Sequence, residues 1–75
     1  MDKGAGEKLI TAACGDIAQL ATAVNGLAQG AASCSAGGNT IGAVGILLEI
    51  EPHLGEMQRL LDIASFARRT MNHGE

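Results

Sequence analysis

Aromatic residues are almost absent from this chain. It has no tryptophan or tyrosine, and Phe66 is the one phenylalanine. Charge is also sparse: 17% of the 75 residues are Asp, Glu, Lys or Arg, against about a quarter in ordinary globular domains. The five cations are outnumbered by eight carboxylates for a net charge of −3, so no basic footprint for nucleic acid exists. Two cysteines, Cys14 and Cys34, are too few for a disulfide scaffold, and no CxxC pair or His-rich cluster marks structural zinc. No serine stands with a histidine and an acid as a nucleophile would need. Enzyme activity is therefore not expected, and no cofactor is implied. The N-terminal stretch, with Asp2, Lys3 and Glu7 and no long apolar run after them, does not read as a signal peptide, and a cytoplasmic location is expected.

What the chain does have is apolar residues, at 47%. Disorder is excluded by that fraction together with the low net charge. Yet 75 residues bury only about 60% of their unfolded surface, so a core of this size is marginal without further support. With disulfides and metals set aside, oligomerisation is the route left.

The chain breaks once, at Ser35-Ala36-Gly37-Gly38-Asn39-Thr40. Upstream, Ile10, Ala13, Ile17, Leu20, Val24, Leu27, Ala31 and Cys34 follow spacings of 3 and 4 without interruption. That is a heptad stripe and predicts a helix over about 7–34. Downstream, Ala43, Leu47, Ile50, Leu54, Met57, Leu61, Ala64, Arg68 and Met71 repeat the alternation and predict a second helix over about 41–72. Pro52 falls inside it. The stripe keeps phase through the proline, which favours one kinked helix with Pro52 opposite the stripe; a break at Glu49 to Glu51 is the alternative. Asn39 or Thr40 should cap this helix at its start. Gly74 should stand just past its end, with Arg68 and Arg69 set against the helix dipole.

The expected fold is thus all-α: a single domain over 1–75, an antiparallel helical hairpin turning at 35–40. Helix two is apolar over a wider arc than one partner helix covers. Ile46, Leu60, Ile63 and Ala67 lie on one flank of its stripe, and Val44, Leu48 and Phe66 lie further round. Two hairpins packed face to face as a four-helix bundle, or a higher oligomer, would bury that surface. From Ile17 to Leu48, thirty-two residues include no Asp, Glu, Lys, Arg or His, so the charges are expected to gather toward the open end of the hairpin. Spanning a membrane is not expected, because Gln19, Thr22, Asn25 and Gln29 interrupt helix one and Glu49 ends the Ile41–Leu48 run. The Gly26–Gly30 spacing is weak evidence in so glycine-rich a chain.

Candidate sites are few. Glu49, His53 and Glu56, at i, i+4 and i+7, share a flank where a metal could be held, but the favoured reading is a solvated flank with ordinary pairing, and no metal site is expected. His73 lies near the end and says little. The cysteines stand about 30 Å apart on one helix, which excludes an internal bridge, and both read as small buried hydrophobes. The protein-interface candidates are Phe66, Leu48 and Arg59 on the far side of helix two, with Ile46, Leu60 and Ile63 on its flank. The function this implies is a small non-enzymatic protein-binding protein that self-associates, an inhibitor or adaptor of the kind phages and mobile elements encode. A purely structural oligomerisation module, and after it a membrane-active hairpin, are the alternatives. No known family is matched residue by residue.

Overall fold

A computed structural model describes residues 2–74, the side chains of 73 and 74 excepted. Three helices follow one another: α1 over Lys3–Ala36, α2 over Thr40–Leu48 and α3 over Glu51–Gly74. α2 and α3 together run back along α1, so the architecture is the expected antiparallel hairpin. It is long and thin, with extents of 57 × 14 × 12 Å.

The ends of each helix are set by local chemistry. Asp2 caps α1, its carboxylate accepting from the Gly4 N–H at 2.7 Å and the Ala5 N–H at 3.3 Å. The turn is a Schellman closure: the Asn39 N–H donates to the Cys34 carbonyl at 2.9 Å, and the Gly38 N–H donates to Ser35 at 3.0 Å. Gly38 stands at φ +94°, the left-handed conformation that this closure requires and that glycine adopts without steric cost. Asn39 then caps α2, accepting from the Gly42 N–H at 2.8 Å. A side chain at Gly42 would run into the capping amide. The turn is shorter than expected, with helix up to Ala36 and again from Thr40, and α3 runs through Gly74 rather than stopping before it.

Helix two is broken rather than merely kinked. α2 ends at Leu48, and the Glu49 and Ile50 N–H groups tighten onto the Ile46 and Leu47 carbonyls, both at 3.0 Å. Pro52 has no N–H to continue the ladder, and it disfavours helical backbone at the residue before it. The chain resumes at Glu51 with Pro52 exposed in the first turn, where a missing N–H leaves no gap. Because Glu49 stays near-helical at φ −70°, ψ −13°, the break costs little phase.

On α1 the seam is the expected one: Ala13 and Ala31 are buried, and Ile10, Ile17, Leu20, Val24, Leu27 and Cys34 are half-buried. On α2 and α3 the expectation needs correction. Ala43, Ile50, Met57, Ala64 and Met71 do face α1, but Leu47, Leu54 and Leu61 remain 48%, 53% and 51% exposed, and Arg68 is exposed too. Their places in the seam are taken by Ile46, His53, Leu60 and Ala67, one residue earlier in each heptad. Two physical reasons favour this register. Arg68 in the seam would strip a cation of water without a partner. Ala67, with no accessible surface, lets the backbones approach where an arginine would hold them apart.

The resulting interior is thin. Among the described residues, the buried apolar side chains are Ala13, Ala31, Ala43, Ala67 and Leu60. The accessible surface is 5075 Å², against roughly 4,300 Å² for a compact globular chain of this mass.

Candidate functional site

The seam repeats every seven residues, so residues seven apart keep a constant angle to the partner helix. This divides the hairpin surface into distinct faces. Leu47, Leu54, Leu61 and Arg68 each follow a seam residue by one and stand along one flank. Glu49, Glu56 and Ile63 each precede one and stand along the opposite flank.

On the first flank, Val44 and Leu47 border a groove whose other wall is Ala28, Ala32 and Ser35 of α1. Nearer the open end, Leu61, Ser65 and Arg68 border a groove against Ile10. Stepping by heptads from Ala28 carries the α1 wall to Ala21, Cys14 and Glu7, all exposed. One broad face therefore carries a ridge of three leucines beside a shelf of small side chains. The charged side chains on the ridge and shelf are Arg68 and Glu7, both at the open end.

The opposite face is polar. Asp16 and Gln19 of α1 face His53 and Glu56 of α3 across a shallow cleft of about 300 Å³. The His53 Nδ1 lies 3.1 Å from the Glu49 carbonyl oxygen, an acceptor, and is placed to donate to it in the tautomer that carries a proton on that nitrogen. The ring thus serves the carbonyl exposed near the Pro52 break. Glu56 turns to Arg59, whose Nε donates to Oε2 at 3.1 Å and whose guanidinium also pairs with Oε1. That hydrogen bond holds the Glu56 carboxyl below its ordinary range and raises Arg59 in turn. Glu49, His53 and Glu56 are not drawn together: among the described residues no group of three His, Cys, Asp or Glu side chains is placed to hold a metal ion.

The interface candidates separate. Phe66 and Leu48 are 55% and 58% exposed on the outer side of α2 and α3, where Ile41 is more open still. Arg59 is tied to Glu56. Ile46 and Ile63 are half-buried beside α1, and Leu60 lies within the hairpin seam at 8% exposure. Cys34 is half-buried in the seam, whereas Cys14 is exposed on the leucine-bearing face rather than buried; both thiols are free. Sequence reasoning missed that face because it assigned the leucines to the seam. The signal that marks the error is Arg68, a cation in line with them.

No helix among the described residues is long and apolar enough to cross a membrane. Comparison with known protein families, curated proteins and solved structures found no match.

Proposed function

We propose that this chain is a small non-enzymatic protein-binding protein that self-associates through helix packing and acts as an inhibitor or adaptor. One observation carries the reading. Among the described residues, the hairpin buries four alanines and a leucine while Leu9, Ile41, Val44, Leu47, Leu48, Leu54, Leu61 and Phe66 remain open to water. Isolated exposed apolar residues are common, but Leu47, Leu54 and Leu61 repeat every seven residues along one flank, and an apolar ridge of that kind in soluble proteins marks an interaction site. α2 is apolar all round, and such helices belong in interiors.

The same reading assigns two surfaces to two tasks. Self-association covers apolar surface that one hairpin cannot. The outer side of α2 and α3, with Phe66 and Leu48, is the docking surface for a different protein, since aromatic anchors dominate binding energy. The proposed compartment is the cytoplasm, which suits two free thiols.

Phe66→Ala tests the division. Light scattering on the variant should give the unmodified assembly, while a stoichiometric partner captured from the native host by the unmodified protein should be lost. Loss of the assembly instead would assign Phe66 to self-association. Were neither to change, Phe66 would have no part in binding.

A further inference from the structure

We propose that the leucine-bearing face is the contact surface for a second copy of this chain, the two hairpins related by a two-fold axis running along their length. This rests on the self-association reading and specifies its geometry. The shelf from Ser35 to Glu7 runs about 42 Å at 1.5 Å per residue; at a width of 14 Å the face projects roughly 600 Å² per copy, or about 1,200 Å² for the pair, the lower bound of a specific stable interface.

The face is complementary to itself. Ala28 stands level with Leu47 across their shared groove, and Ile10 level with Leu61 and its neighbours. Because the helices are antiparallel, a heptad step down α1 matches a heptad step up α3. Ala21 is therefore level with Leu54, Cys14 with Leu61, and Glu7 with Arg68. A two-fold axis along the hairpin keeps every height and sets α1 of each copy opposite α2 and α3 of the other. Each leucine of the ridge then meets a small residue of the second copy's shelf: Leu47 on Ala28, Leu54 on Ala21, Leu61 on Cys14. Large side chains facing small ones let helices interdigitate closely.

Charge agrees with the same placement. Arg68 of each copy comes level with Glu7 of the other, giving two opposite-charge contacts at the ends. Within one chain these two side chains are not paired: the ion pair among the described residues is Arg59–Glu56. Every neighbouring pair of helices in the resulting bundle is antiparallel, so the helix dipoles oppose one another favourably. The acidic face with Asp16, Glu49 and Glu56 stays in water.

The test uses the full chain carrying Cys34→Ser, so that Cys14 is the sole thiol, and reads mass by light scattering together with the alkylation rate of Cys14. The expected result is a dimer in which Cys14 reacts at least about tenfold more slowly than in dilute monomer. Leu61→Glu should raise the dissociation constant about 100-fold or more, since two leucines lose their apolar contact at once, and should restore the fast thiol rate. Phe66→Glu, on the outer side, should leave both readings unchanged. Charge reversal covers the case in which Leu61→Glu fails to fold. Glu7→Arg and Arg68→Glu should each weaken association about three- to tenfold, and the double variant should return to within about twofold of the starting protein. A dimer that persists in Leu61→Glu with Cys14 reactive throughout, or a double reversal that does not recover, overturns the proposed face while self-association stands. A parent protein that is monomeric at every concentration overturns the self-association reading itself.

Discussion

Ala67 has no accessible surface, and with Ala13, Ala31 and Ala43 it sets how closely the two arms of the hairpin approach. Ala67→Leu should force the helices apart at that level and lower the unfolding free energy by about 1–3 kcal/mol, measured by urea denaturation. Leu60 is the largest buried side chain among these, so Leu60→Ala should cost about 2–5 kcal/mol through lost burial and a cavity. The Arg59–Glu56 pair makes a different kind of prediction. Arg59 donates to Glu56 and holds its carboxyl below the ordinary range. A group lowered in the folded state contributes stability above its unfolded pKa and loses it as pH falls through the folded value. Both side chains are solvent-exposed, so the stability at stake is small. The readable effect is the titration itself: carbon-detected NMR should show Glu56 returning to the ordinary carboxylate range in Arg59→Gln. No change in that midpoint would mean the pair does not persist in solution. At this scale Ala13 and Ala31 were legible from the α1 stripe. Leu60 in place of Leu61 was not, because both are leucines and apolar periodicity cannot choose between adjacent positions of equal hydrophobicity.

The helices themselves are legible because their punctuation is chemical. Gly37-Gly38 and Asn39 supply a left-handed closure and a capping amide, and both act as those residue types act elsewhere. Asn39→Ala should cost about 1 kcal/mol, read as a lower melting temperature, since the Gly42 N–H loses its acceptor. Pro52 is harder to read. Helix kinks and helix breaks at proline share one sequence signal, and the seam stays in heptad phase in either case. The outcome turns on Glu49 and Ile50, whose N–H groups reach the carbonyls three residues back. Pro52→Ala restores a donor there and removes the steric restriction on Glu51. Circular dichroism should show a gain in helix as α2 and α3 join, with the mass of the assembly unchanged because the seam keeps its phase. A change in mass on this substitution would show that the break shapes the contact surface.

At the scale of the whole molecule, one feature organises the rest: two apolar stripes on the second arm and one helix to cover them. The arms and the turn follow from the periodicity. Which stripe α1 covers follows from Arg68 and Ala67, one charged and one small, at the far end of the arm. The covered stripe gives a hairpin with an alanine-rich interior, and the uncovered one leaves leucines along a molecule 57 Å in length. On the proposed self-association, the unfolding temperature should rise with protein concentration, because an assembly is stabilised by mass action. The most direct measurement is light scattering coupled to gel filtration at micromolar concentration. The expected particle is a dimer of about 15 kDa or a larger multiple of the 7.6 kDa chain; a stable 7.6 kDa monomer at that concentration would contradict the account.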